Sequence, residues 1–155
     1  MEMPKVTDHH KKLYALIGDW EGPETITESP WAPGGTATGK LHVRSDMDGF
    51  FVLQDYIQER ARKVTFSGHG IFGYDAAAAE YTWYWVDSTG FVPDAPARGK
   101  FEGDTLLLQK VTPRGAARHT LRLEPGGKAY HFQIEHSFDQ QQSWQTFLTA
   151  SYKRR

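Results

Sequence analysis

Two acidic residues lie on predicted strand faces that are otherwise apolar. Glu24 shares a face with Trp20 and Ile26, and Asp55 shares one with Leu53. A carboxylate inside a fold must find a partner or take up a proton, because burial disfavours its charged form. Such acids occur in functional sites and also in polar networks that only stabilise the fold, and both interpretations stay open. The candidate partners of Glu24 on the following strand are Lys40, His42 and Arg44.

Three histidines occupy positions where they could face an interior. His136 alternates with polar residues in an aromatic-rich segment, and His119 shares a face with Leu121, so both rings are predicted to point inward. An interior histidine can be a general base, a haem ligand or a satisfied structural residue. His69 lies between two glycines. Those glycines either let a ligand approach closely or mark a bulge in the strand.

Aromatic residues concentrate on one face of a predicted strand. Trp83 and Trp85 lie on that face with Tyr81, and Asp87 ends the row. A flat apolar wall with one polar anchor is a common arrangement in ligand sites, although the same rings could simply fill a narrow barrel. Trp144 shares a face with Thr146 and Leu148 in the last predicted strand, and this largely apolar face is predicted to point inward.

The composition excludes several classes of function. The 155 residues include 18 Lys and Arg and 19 Asp and Glu, for a net charge of −1, and there is no cysteine. A nucleic-acid binder usually carries a clustered basic excess, and disulfides, thiolate metal sites and cysteine nucleophiles require cysteine. No metal-ligand spacing, phosphate-binding loop or nucleophile elbow is present. The absence of a signal-like or membrane-spanning apolar segment favours a cytoplasmic protein without membrane insertion.

The elements that must position these residues are almost all strands. Only the segment from Thr7 to Gly18 has helical periodicity, with Thr7 as N-cap and Gly18 as the terminating residue. From there the apolar period is two, and Gly- and Pro-containing turns separate the segments. Ten strands are predicted, at residues 19–27, 36–46, 50–60, 64–73, 80–87, 97–102, 105–111, 117–124, 128–138 and 143–152.

Short connections join these strands, so sequential neighbours must pair antiparallel. A meander of this length hides its edges best by closing on itself. The sequence therefore predicts one domain over residues 1–155. It is an all-β, closed, up-and-down antiparallel barrel of about ten strands, lipocalin-like or calycin-like, with the short N-terminal helix capping one mouth.

Several short motifs occur in an order that identifies a family. Gly18-Asp19-Trp20 opens the first strand as a G-x-W motif, Gly68–Asp75 reads GHGIFGYD, and Arg98–Asp104 reads RGKFEGD. Over about residues 13–154 the chain resembles the bacterial domain of unknown function 1579 family, which has a lipocalin-like barrel. The resemblance implies that Trp20 closes one end of the barrel beneath Arg154 from the last strand. It implies an interior able to hold a ligand and no particular reaction.

The leading hypothesis is a small-molecule binding protein without a metal. An apolar or aromatic ligand would lie against Trp83 and Trp85, be oriented by Glu24, Asp55 or His69, and be bounded by His136 and Trp144. One alternative is an enzyme with an interior His–carboxylate pair that acts on a hydrophobic substrate. A second is haem binding through His136 or His131. A homodimer is also possible, through exposed Phe50, Tyr56 or Tyr84.

Overall fold

The computed structural model describes residues 1–155 and contains ten strands that close into a barrel. Each strand pairs antiparallel with its neighbours in sequence, and β1 also pairs with β10, which confirms the predicted topology. The strands are β1 Gly18–Ile26, β2 Gly35–Asp46, β3 Phe51–Arg60, β4 Lys63–Asp75, β5 Glu80–Asp87, β6 Ala97–Glu102, β7 Thr105–Thr112, β8 Gly115–Leu123, β9 Ala129–Ser137 and β10 Gln145–Arg154.

The helical segment is shorter than the one predicted between Thr7 and Gly18. Helix α1 covers Asp8–Lys12 and continues as a 3₁₀ helix over Leu13–Leu16. Thr7 precedes α1 in an extended conformation, and its backbone N–H donates to Nδ1 of His10 at 3.0 Å. The carbonyl group of Leu16, at the end of the segment, accepts a hydrogen bond from Trp20 Nε1 at 2.9 Å. A helix end satisfied in this way can tighten and stop.

This segment covers one end of the barrel. Its residues Leu13 and Leu16 are buried, and Tyr81 Oη donates to the His9 carbonyl at 2.8 Å. The other end, reached by the loops 27–34, 88–96 and 138–144, is open. None of the helices has the length and hydropathy needed to span a bilayer.

Trp20 lies at the closed end, in the arrangement that the family resemblance implied. The Arg154 guanidinium lies 4.2 Å from the centroid of the Trp20 ring, and the ring meets Tyr130 edge-on at 4.8 Å. Arg154 also donates to the carbonyl groups of Ala15 and Ile17. One side chain from β10 therefore joins the end of the chain to the end of the helical segment, and the cation–π contact adds about 0.5–2 kcal/mol.

Strand β3 turns the opposite face inward from the one predicted. Its buried residues are Val52, Gln54, Tyr56 and Gln58, whereas Phe51 is 37% exposed. Both alternating sets of β3 contain large apolar residues, so the pattern of this strand alone does not indicate which face points inward. Pairing decides it, because Gln54 lies opposite Val43 and Tyr56 opposite Leu41, and both β2 residues face the core.

Candidate functional site

The barrel encloses a cavity that opens at the end opposite α1. Its volume is about 480 Å³, and 22 of its 33 lining residues are hydrophobic. This exceeds the roughly 300 Å³ at the lower end of small-molecule sites. All ten strands contribute to the wall, β4 with Phe66 and Phe72 and β6 with Ala97.

The aromatic wall of the cavity is built on β5, with β4 behind it. Trp83 stacks on Phe72 at 5.6 Å between ring centroids and lies 5.2 Å from Trp85. Gly68 and Gly70 face the same side, and a Cβ on Gly68 would overlap the Trp85 ring. The two glycines therefore let both indoles lie flat against the backbone. The structure places Trp83 and Trp85 on the cavity wall, and their contact with a ligand stays a prediction.

Three buried polar atoms in this wall have no hydrogen-bond partner in the protein. They are Gln54 Oε1, Trp83 Nε1 and His119 Nδ1, and all three residues, which we call the polar trio, line the cavity. The rings of Trp83 and His119 meet edge-on at 4.8 Å. A buried donor or acceptor without a partner costs about 1–3 kcal/mol, so such atoms are few in folded proteins.

The second tryptophan of the wall differs from the first. Trp85 Nε1 donates to Asp87 Oδ2 at 2.8 Å, and Asp87 is held in turn by Thr89. The polar anchor predicted at the end of the aromatic row is therefore already used by its neighbour. Trp83 Nε1, in contrast, has no acceptor in the protein.

Glu24 points into the barrel, as predicted, but none of the expected basic partners reaches it. Its oxygens accept hydrogen bonds from Tyr56 at 2.8 Å, from Gln58 at 3.0 Å and from Tyr152. We call these four residues the Glu24 network. Lys40 instead pairs with Glu59 at 3.0 Å on the outer surface. Tyr56, Gln58 and Tyr152 line the cavity, whereas Glu24 lies behind them.

Burial sets the protonation behaviour of these groups. It raises the pKa of the Tyr56 and Tyr152 hydroxyls well above the usual range, and the Glu24 carboxyl adds to the effect. Both tyrosines therefore remain hydrogen-bond donors. Burial also lowers the pKa of His119 to about 3, with smaller contributions from His136 and Lys110. His119 is consequently a neutral ring near pH 7.

Asp55 and His69 lie on the outside of the barrel, so the prediction that they face the interior was wrong. Asp55 Oδ1 is 2.9 Å from His69 Nδ1, and Asp55 Oδ2 accepts from Arg44 at 2.9 Å. Asp55 is next to Gln54 in β3, and His69 lies between Gly68 and Gly70 in β4. These neighbours face the interior, so Asp55 and His69 point to the outside of the barrel. The glycines do permit a close approach, but by the two indoles.

Trp144 is also outside the cavity, contrary to the prediction. A bulge between Thr146 and Leu148 inserts Phe147 and shifts the alternation of β10 by one residue. Trp144 therefore turns to the outer surface, where the Arg118 guanidinium lies 4.1 Å from its ring centroid. Phe147 takes a place on the cavity wall instead.

The histidines divide between the two sides of the wall. His136 lines the open end of the cavity, stacked on Phe147 at 5.1 Å and edge-on to Trp31 at 5.8 Å. His131 lies on the outer face, 2.7 Å from Glu124 and 2.9 Å from Ser151, so it cannot ligate a haem inside the barrel. No hydrogen bond in the cavity joins a histidine to a carboxylate, so the pair required by the enzyme alternative is absent.

The residues proposed for a dimer contact are similarly divided. Tyr56 is buried in the Glu24 network, which removes it from any surface, and Phe50 packs edge-on against His10 at 5.5 Å. Tyr84 is 44% exposed on the outer face. A homodimer through this face stays a prediction.

Sequence reasoning missed several residues of the site. Gln54 and Gln58 alternate with Asp55, so the face predicted to point inward excludes them, and Trp31 falls between the first two predicted strands. Trp31 packs on Phe138 at 6.2 Å between ring centroids, at the open end of the cavity. The pairing of β2 with β3 was the one signal that could have identified the two glutamines. In its register, Gln54 lies opposite Val43, and this places the face with the glutamines toward the interior.

Comparisons with known proteins agree with this architecture. The crystal structure of Rv2717c from M. tuberculosis superposes with a TM-score of 0.71 at 14% identity, covering 97% of this chain and 99% of that one. The S-type phycobiliprotein lyase CPES from Guillardia theta gives a TM-score of 0.65 at 10% identity, covering 98% of each chain. At these identities the likeness shows the fold alone.

No curated protein matches the sequence. The family model described as "Protein of unknown function (DUF1579)" matches residues 5–154, nearly the whole chain, as the motifs in the sequence predicted. The chain therefore belongs to the DUF1579 family.

Proposed function

We propose that this protein binds a small apolar or aromatic molecule inside the barrel. The observation that carries the proposal is the cavity of about 480 Å³, whose aromatic wall contains three buried polar atoms without protein partners. Concave apolar sites with a few converging polar groups are the usual form of small-molecule sites. A barrel that served only as a stable scaffold would be expected to fill this space with side chains.

In this proposal, the binding free energy comes mainly from contact of the ligand with the apolar cavity wall. Each 100 Å² of apolar ligand surface removed from water would contribute about 2.5 kcal/mol. Stacking on Trp83, Trp85 and Phe132 would add to this, because offset and edge-to-face ring pairs are favourable beyond area alone. The fold resemblance to a protein named as a phycobiliprotein lyase is compatible with a small ligand in such a barrel.

A neutral fluorescent probe tests the proposal. N-phenyl-1-naphthylamine should bind with increased emission and should quench the tryptophan emission of Trp83 and Trp85. Ala117 lines the cavity, so Ala117→Trp would fill part of it and should weaken probe binding about tenfold or more. Thr120→Trp adds the same ring on the outer face of β8 and should leave binding unchanged. Equal binding by both variants would place the probe outside the barrel and remove the proposal.

Haem ligation by His136 is a separate proposal that the same protein can test. His136 is the remaining candidate ligand, since it lines the cavity whereas His131 does not. Hemin added to the purified protein should give a shifted Soret band that His136→Phe abolishes. An unshifted band in the unmodified protein would exclude haem.

A further inference from the structure

We propose that the buried end of the ligand is an uncharged polar group that both donates and accepts hydrogen bonds, such as a carboxamide or a lactam. A carboxylate or another anion would not be accepted at this position. The inference rests on the proposed function and specifies its ligand class. It follows from the polar trio and from the lack of an unpaired cation beside it.

The polar trio forms one small patch with mixed hydrogen-bonding character. A Cβ on Gly70 would lie 2.5 Å from Trp83 Nε1 and 2.6 Å from Gln54 Oε1, so glycine leaves both atoms close together on the same side of the sheet. The His119 ring meets Trp83 at 4.8 Å. An indole nitrogen only donates and an amide oxygen only accepts. A ligand group must therefore do both to satisfy the patch.

A carboxamide has the required chemistry. Its oxygen can accept from Trp83 Nε1, and its N–H groups can donate to Gln54 Oε1 and to His119 Nδ1 when the His119 proton is on Nε2. The Phe132 ring is nearly parallel to His119, at 6.3 Å and 9°, which gives the same region flat walls. A planar group conjugated to an aromatic body can lie flat against these rings.

An anion at the polar trio would find no unpaired cation beside it, because Lys110, the nearest one, is already paired with Asp94. The only basic residues that line the cavity are Lys110, Arg114 and the two histidines, and both long side chains are on the open-end part of the wall. Lys110 lies 3.7 Å from Asp94, and the Arg114 guanidinium lies 5.8 Å from the Phe91 ring. His119 is neutral because burial lowers its pKa. A buried carboxylate without a cation loses more hydration than neutral donors return.

A wholly apolar ligand is also disfavoured at the patch. It would leave the three polar atoms, which are already shielded from solvent in the empty barrel, without a hydrogen-bond partner, whereas a carboxamide would supply one. Sites built to hydrogen-bond a ligand reject analogues that lack the bonding group more strongly than sites built on shape alone. The polar trio should therefore rank ligands of equal size in the order carboxamide, hydrocarbon and carboxylate.

Three matched probes test this ranking. They are naphthalene-2-carboxamide, 2-methylnaphthalene and 2-naphthoate, each used to displace N-phenyl-1-naphthylamine at about pH 8, where the naphthoate is ionised. The carboxamide should bind about tenfold more tightly than 2-methylnaphthalene, and the naphthoate more weakly than both. Gln54→Leu and Trp83→Phe should each reduce the carboxamide advantage to about threefold or less, without weakening 2-methylnaphthalene. Gln133→Leu, the same change on the outer face of β9, should retain the full advantage.

The outcomes separate this inference from the proposed function. If 2-methylnaphthalene binds in the cavity but the naphthoate binds as tightly as the carboxamide, the inference is wrong and the proposed function stands. Retention of the carboxamide advantage in Gln54→Leu and Trp83→Phe has the same meaning. If neither the fluorescent probe nor any naphthalene binds, the proposed function fails and the inference fails with it. Should one variant not fold, the other variant and the unmodified protein still decide.

Discussion

Two polar clusters lie inside this barrel, and they differ in how completely the protein satisfies them. In the Glu24 network, three side chains donate to one buried carboxyl group, and Glu24 is only 1% exposed. In the polar trio, each of three buried polar atoms lacks a protein partner. A saturated cluster stabilises the fold, because every donor has its acceptor, whereas an unsaturated cluster costs stability unless another molecule completes it. The first cluster therefore needs no partner beyond the chain, whereas the second fits the binding role that we propose.

Removing the carboxyl group should have the largest effect on stability. Glu24→Leu leaves the Tyr56, Gln58 and Tyr152 donors without their acceptor, so the free energy of unfolding in urea should fall by about 3 kcal/mol or more. Glu24→Gln keeps one acceptor oxygen and should lose less. Probe binding by the folded fraction should be unchanged. A loss below about 1 kcal/mol in Glu24→Leu would contradict the structural role of the network.

The free energy of unfolding at acid pH should depend on His119, the neutral histidine of the polar trio. The pKa of His119 is lowered to about 3 in the folded protein, from 6.5 when unfolded. Below pH 6.5 the unfolded chain therefore binds a proton that the folded chain does not, and stability falls as the pH falls toward 3. Between pH 7.5 and 5, the unmodified protein should lose about 2 kcal/mol more than His119→Gln, as measured by urea unfolding.

The same comparison controls for other groups that titrate in this range. His10 and His136 also have a lowered pKa because of burial, and both remain in the variant. The difference between the two proteins therefore isolates His119. Equal acid sensitivity would show that the His119 ring reaches water or a partner when protonated.

Two glycine substitutions compare how easily the side chains of the two clusters can shift to accommodate an added methyl group. A Cβ on Gly39 would lie 2.8 Å from Tyr152 Cε1 and would also contact the Glu24 carboxyl group, whereas a Cβ on Gly70 would meet the polar trio. The Glu24 network is fixed by its own hydrogen bonds, but Gln54 can move toward the cavity. Gly39→Ala should therefore cost about 1–3 kcal/mol in urea unfolding, and Gly70→Ala about half as much. The reverse order would indicate that the polar trio is the more rigid cluster.

The smallest effect is expected for one of two matched changes on β3. Gln54 and Gln58 are both buried, at 7% and 8% exposure, but only Gln58 donates within the Glu24 network. Gln58→Leu should lose about 1 kcal/mol, because a hydrogen bond to a buried acceptor is removed. Gln54→Leu should be neutral or slightly stabilising, because it removes an unpaired buried oxygen. Thermal unfolding of the two variants measures the difference directly.

Part of the candidate site could be predicted where large rings concentrate on one face of a strand. The alternation in β5 places Trp83 and Trp85 on the same face, and both line the cavity. The prediction failed for Asp55 because β3 carries apolar residues on both faces. It failed for Trp144 because a one-residue bulge reverses the alternation, and no residue near Phe147 indicates a bulge.

The sequence by itself determined the number and order of the strands, the antiparallel pairing and the closure of the barrel, because these depend on local turn chemistry and on a period of two. It also determined the family. Only the tertiary structure decided which face of β3 points inward, which buried groups meet and which remain unpaired. These properties depend on the register between strands far apart in sequence, such as Glu24 of β1 with Tyr152 of β10, and no local pattern encodes that register.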